Sequence, residues 1–177
     1  MIDYFCGYPK CGKSKIAESL LSAIESPVLY VGTLPNIRPY WNTILTHRKR
    51  RPSTWDLYEC SGNLIQDLSC LLRMMECYGG ILLDGGAFYL NRLLYWGDRP
   101  GLTELALLKR ILSKAAIDPV YFVVVDQPLA GMPPRTQELG RIFHQVVYSY
   151  CKHTYLVVDG QAMLCPLQKL RTLDCEP

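Results

Sequence analysis

Gly7-Tyr8-Pro9-Lys10-Cys11-Gly12-Lys13-Ser14 is the stretch that decides how this chain folds. Its spacing is G-x-x-x-x-G-K-[ST], the phosphate-binding loop. The two glycines let the backbone turn tightly and come close to a polyphosphate. Exposed N–H groups of the loop and the N-terminus of the next helix then face the anion. In this pattern Lys13 reaches the outer phosphates, and the Ser14 hydroxyl sits on Mg²⁺. Residues 2–6 read as a short apolar strand and residues 13–24 as a helix, the strand–loop–helix context that the chemistry requires. Contacts to a nucleoside triphosphate, GTP or ATP, are therefore expected from Gly7, Tyr8, Pro9, Lys10, Cys11, Gly12, Lys13 and Ser14. The bland alternative is a glycine turn that binds nothing.

Outward from the loop, apolar runs alternate with helical stripes. Residues 27–33, 81–84, 119–126 and 154–159 read as strands, the third being the strongest. Residues 62–77 carry apolar side chains at Leu64, Ile65, Leu68, Leu71, Leu72 and Met75, a helical period broken by Gly79-Gly80. Residues 88–96, 102–116 and 136–150 also read as helical. Continuous apolar strands separated by helices predict an α/β fold. Its sheet is mostly parallel, with helices on both faces, and a single domain spans 1–177. Ligands of such sheets bind beyond the carboxyl ends of the strands.

Three predicted strands end in aspartate at that edge: Asp84, Asp126 and Asp159. One of them is expected to hold Mg²⁺ together with Ser14. Asp84 is the first choice, because it ends an apolar strand expected beside the phosphate-loop strand, and Asp126 is the second. A strand-terminal Asp that merely caps the next helix is the alternative for the rest.

Composition limits the partners. The chain has 177 residues, 49% hydrophobic and 20% charged, with a net charge of +3. That balance gives no case for a nucleic-acid or membrane partner. No apolar run approaches the roughly 20 residues needed to cross a bilayer. With no signal peptide ahead of the first strand, a cytoplasmic protein is expected. Eight cysteines include no C-x-x-C pair, so free thiols are expected rather than a metal site or disulfides. Cys11 stands apart because it lies inside the phosphate loop, where a nearby helix N-terminus favours thiolate.

The segment His47-Arg48-Lys49-Arg50-Arg51-Pro52-Ser53-Thr54-Trp55, with Glu59 beyond it, is the second unusual feature. Such a basic cluster is usually a solvated face or a phosphate clamp; a nuclear-localisation or RNA-binding patch is a further reading, disfavoured by the single patch and the small net charge. Two roles are open for His47 itself. It is a surface residue, or its neutral imidazole attacks the α-phosphate of a bound nucleotide while neighbouring Arg and Lys take up the charge on phosphorus.

These residues resemble those of the bifunctional adenosylcobinamide kinase/adenosylcobinamide-phosphate guanylyltransferase family. The likeness begins with Gly12-Lys13-Ser14-x-x-Ala17-Glu18-x-Leu20 and continues in Tyr30-Val31-Gly32-Thr33. Its most specific part is Ile44-x-x-His47-Arg48-x-x-Arg51-Pro52-x-x-Trp55 with Glu59, the string in which the family carries its guanylylated histidine. It runs on through Leu82-Leu83-Asp84, Gly131, Pro134 and Arg141-x-Phe143 to Leu156-Val157-Val158-x-Gly160, nearly the whole chain in order. The resemblance implies a RecA-like P-loop fold and a homotrimer. It implies His47 and Lys13 as catalytic residues, with Thr33, Arg48, Arg51, Glu59 and Asp84 at the nucleotide. It implies two reactions on a corrinoid substrate: phosphorylation of adenosylcobinamide, then GMP transfer from GTP through the histidine. The chain departs from the family at Tyr8 to Cys11, at residues 34–39, at Arg92, and at Asp126-Gln127-Pro128-Leu129. A plain P-loop kinase and a non-catalytic nucleotide-binding module are the two readings from other classes.

Overall fold

The computed structural model describes residues 1–34, 38–61, 63–85, 102–126 and 133–166. Its centre is a seven-stranded sheet. The strands are β1 (Ile2–Cys6), β2 (Val28–Gly32), β3 (Asp56–Glu59), β4 (Gly80–Asp84), β5 (Tyr121–Asp126), β6 (His153–Val158) and β7 (Gln161–Leu164). Their order across the sheet is β3-β2-β4-β5-β1-β6-β7. Every pairing is parallel except the hairpin of β6 with β7. The helices are α1 (Lys13–Ser22), α2 (Trp41–Arg50), α3 (Leu64–Met74), α4 (Leu102–Ile117) and α5 (Pro134–Tyr148), with short 3₁₀ turns at Arg38–Tyr40 and Met75–Cys77.

The inner strands are buried on both faces, which is why they read as unbroken apolar runs. Alternation along each strand divides the core in two. Tyr4, Leu29, Val31, Ile81, Leu83, Phe122 and Val124 face Leu68 and Leu71 of α3, Ile111 and Leu112 of α4, and Phe143 and Val147 of α5. Phe5, Val28, Tyr30, Leu82, Val123, Val125 and Val157 face Ala17 and Leu21 of α1. Helices thus cover both faces, as the sequence predicts. At the head of α3 the Asn63 side chain accepts the Gln66 N–H at 3.1 Å, an N-cap.

Three elements were not predicted. Helix α2 buries only Ile44, so it has no apolar stripe to read. Strand β3 is four residues long, at the sheet edge, with both termini acidic and no residue buried. Strand β7 is exposed throughout. The predicted helix over 62–77 begins at Leu64 and tightens into a 3₁₀ turn after Met74. The predicted helix over 88–96 and the positions Arg92, Gln127, Pro128, Leu129 and Gly131 lie outside the described residues.

The strand order also corrects one expectation. Strand β4, which ends at Asp84, does not lie beside β1; β5 is inserted between them. Asp126 at the end of β5 is therefore in register with Cys6, the residue that leads into the phosphate loop. Periodicity could not reveal this, because both strands are equally apolar on both faces.

Candidate active site

The loop between β1 and α1 owes its shape to two backbone features. Lys10 and Gly12 both have positive φ, 65° and 96°, and Gly12 leads directly into α1. A Cβ at Gly7 would lie 2.5 Å from Cys11 Sγ and 2.7 Å from the Val157 carbonyl oxygen, so the loop can close only over glycine. A neighbouring turn supports it. Asp159 and Gly160 are both left-handed, the geometry of a tight two-residue hairpin turn, and the Gly160 N–H donates to the Cys11 carbonyl at 2.8 Å. Asp159 is thus a hairpin-turn residue rather than a helix cap. Lys13 Nζ donates to the Tyr8 carbonyl at 3.0 Å, so the lysine folds back along the loop.

Asp84 is where the two sequence motifs meet. Its Oδ1 accepts the Ser14 hydroxyl at 3.2 Å. Its Oδ2 accepts the Tyr30 hydroxyl at 2.5 Å and lies 3.2 Å from His47 Nδ1. Tyr30 OH is 3.4 Å from the same nitrogen. Burial alone would push the Asp84 carboxyl up, but hydrogen bonds from His47, Tyr30 and Ser14 outweigh it and hold the group below its ordinary value. Burial, followed by the charge of Asp84, pushes the Tyr30 phenol well up, so Tyr30 remains a donor. The Arg51 guanidinium lies 3.3 Å from the Tyr30 ring centroid, and its Nε is buried without a partner.

Two of the other basic residues have carboxylate partners. Arg48 donates to Glu59 through Nη2 at 2.5 Å and Nε at 3.1 Å. Arg50 donates to both oxygens of Glu18 on α1. Lys49 is exposed. Among the described residues, Arg51 is therefore the cation of this string that faces the cavity without a carboxylate partner in a salt bridge. Thr33 is fully buried, and its hydroxyl donates to the carbonyls of Asp84 and Gly85, so it braces the strand end.

These groups line a cavity of about 750 Å³ at the carboxyl edge of the sheet. Pro9, Lys10, Gly12, Lys13, Ser14, Thr33, His47, Arg51, Glu59 and Asp84 contribute to its wall. Gly7, Tyr8, Cys11 and Arg48 do not. Asp126 also reaches the wall, and its Oδ2 lies 3.3 Å from Nε2 of the buried His144. Tyr30 and Glu18 stand in the sequence only as parts of the family likeness, and neither carries a local signal for what it touches. The described cysteines are free, and no cluster of three or more His, Cys, Asp or Glu converges as a metal site among the described residues.

A phosphate loop whose serine meets a strand-end carboxylate, on a mostly parallel sheet with helices on both faces, defines a P-loop nucleotide-dependent enzyme of RecA-like fold. Solved structures agree on the fold. A type III secretion system ATPase from pathogenic bacteria superposes with a TM-score of 0.56 at 11% identity, covering 97% of this chain. The chain spans 60% of that ATPase. The RadB recombinase superposes with a TM-score of 0.50 at 20% identity, over 88% of this chain and 73% of that one. No match was found among curated proteins. Residues 4–164 match the cobinamide kinase / cobinamide phosphate guanyltransferase family, and the chain belongs to that family. Among the described residues no helix is long and apolar enough to cross a membrane.

Proposed function

We propose that this protein carries both activities of its family: it phosphorylates the cobinamide side-chain hydroxyl from a nucleoside triphosphate, then transfers GMP from GTP to the resulting phosphate through His47. Family membership supports the substrate class. The observation that carries the mechanism is the placement of His47 Nδ1 3.2 Å from Asp84, the same carboxylate that receives Ser14 of the phosphate loop. One nucleotide pocket thus has an imidazole at its wall.

The loop and Lys13 bind the triphosphate, and Lys13 exchanges the Tyr8 carbonyl for a phosphate oxygen. Asp84 accepts Nδ1–H of the neutral imidazole, which leaves the lone pair on Nε2. Nε2 attacks the α-phosphorus of GTP, an N–P bond forms, and pyrophosphate leaves. Arg51, the cavity-facing cation without a carboxylate in a salt bridge, takes up charge on the phosphorus oxygens. A phosphate oxygen of cobinamide phosphate then attacks the same phosphorus, the N–P bond breaks, and the imidazole is regenerated. In the kinase step the acceptor hydroxyl attacks the γ-phosphorus instead, the bond to the β-phosphate breaks, the nucleoside diphosphate leaves and the hydroxyl proton is released; the imidazole takes no part.

A divalent cation fits the site: Ser14 Oγ and Asp84 Oδ1, two hard oxygen donors 3.2 Å apart, are the residues that would hold Mg²⁺. Bound there, it would neutralise charge on the β- and γ-phosphates. The setting would be cytoplasmic, and by family analogy the chain would assemble as a homotrimer.

The test uses GTP labelled at the α-phosphate. The protein is expected to take up an acid-labile, alkali-stable label that a chase with cobinamide phosphate removes. His47→Ala is expected to take up none while keeping γ-transfer. Label retained in His47→Ala contradicts the assignment; absence of label in a wild type shown to bind GTP favours a plain kinase.

A further inference from the structure

Two rungs join α1 to α2, and the second has no part in the chemistry above. The first runs from Ser14 through the Asp84 carboxylate to His47. The second is direct: Glu18 accepts Arg50 Nε–H at 2.6 Å and Nη2–H at 2.7 Å, a two-pronged ion pair. Glu18 lies one turn beyond Ser14 on α1, and Arg50 lies one turn beyond His47 on α2. The rungs therefore stand on neighbouring turns of both helices.

The second rung is built rather than incidental. The Glu18 side chain is 8% exposed, and a carboxylate buried that far requires its partner. Among the described residues little else holds α2. It buries one apolar residue, Ile44. Its remaining ionic contact, Arg48 with Glu59, is 43% and 31% exposed, where such pairs contribute little. A helix tied at one point rolls about it; a second tie one turn away stops the roll.

We propose that the Glu18–Arg50 pair is a positioning device for guanylyl transfer, fixing the roll of α2 against the phosphate-loop helix so that His47 faces the α-phosphorus. The proposal rests on the reading of His47 as nucleophile. Glu18 does not line the cavity and acts only through Arg50. Transfer of the γ-phosphate does not use the imidazole, so it does not depend on the pair. The two activities of one site are then separable at a residue that touches neither substrate.

Glu18→Gln keeps the shape and removes the charge. Its rate of acid-labile labelling from α-labelled GTP is expected to fall by about 10-fold or more, because small misplacements of reacting groups are costly. GTP affinity by calorimetry is expected to stay within about 3-fold, a loss confined to the covalent step. Hydrogen exchange is expected to quicken across residues 41–50 and to stay slow in α1 and β1. If the single variant unfolds, Glu18→Asp, which keeps the charge but shortens the reach to Arg50, is expected to show the same selective loss. Unchanged labelling with unchanged exchange in α2 overturns the proposal. So does a GTP affinity that falls in parallel with labelling, which would make Glu18 a support of the phosphate loop. A wild type that takes no label defeats the nucleophile reading instead, and exchange across α2 then decides alone whether the pair holds the helix.

Discussion

Asp84 is the residue on which the site turns, because its two oxygens serve different neighbours. Ser14 approaches Oδ1, while Tyr30 and His47 share Oδ2. The native state holds the Asp84 carboxyl below its ordinary value of 3.8. The sign follows by linkage. A carboxyl depressed in the folded state adds stability above its unfolded value and loses it as pH falls through the folded one. Urea unfolding of wild type and Asp84→Asn is therefore expected to show a stability gap at neutral pH that narrows as pH drops below about 3.8. A gap independent of pH would mean that the carboxylate charge contributes nothing. Lys13 is the opposite case: its hydrogen bond to the Tyr8 carbonyl is exposed. Lys13→Ala is expected to abolish GTP binding by calorimetry while moving the melting temperature little. Unchanged GTP affinity would sink the phosphate role.

At this scale the sequence is generous where chemistry is encoded in local spacing. Gly12-Lys13-Ser14 and the string around His47 are legible because a motif fixes them. Tyr30 is not, since an apolar strand hides which of its residues points a hydroxyl at the end of the neighbouring strand. The salt-bridge partners of the basic string were equally invisible, and only folding shows that Glu59 and Glu18 occupy Arg48 and Arg50.

Among the elements, legibility follows burial. Strands β1, β4 and β5 and helix α3 are predicted because each buries a continuous or periodic apolar face. Helix α2 was read as a basic segment, since its stability comes from ion pairs and one isoleucine. The helix that carries the candidate nucleophile is thus among the least firmly packed, and it is held by charge. The contrast with α3 can be measured. Asn63→Ala removes the cap of α3 and is expected to cost about 1 kcal/mol of global stability by denaturant titration. No measurable loss would mean that packing alone fixes the start of that helix.

For the whole molecule, the class of fold was legible and the strand order was not. Alternating apolar strands and helices imply a doubly covered parallel sheet, but no periodicity tells which strand lies between which others. The insertion of β5 between β4 and β1 sets how far Asp84 stands from the phosphate-loop strand. Fold and family together make this a nucleotide-dependent enzyme, and the central claim concerns the covalent step alone. The most direct measurement is peptide mapping by mass spectrometry of protein incubated with GTP and kept at alkaline pH. A GMP adduct is expected that is confined to the peptide containing His47 and absent after a chase with cobinamide phosphate. A GMP adduct on any other residue, or none on protein shown to bind GTP, would contradict it.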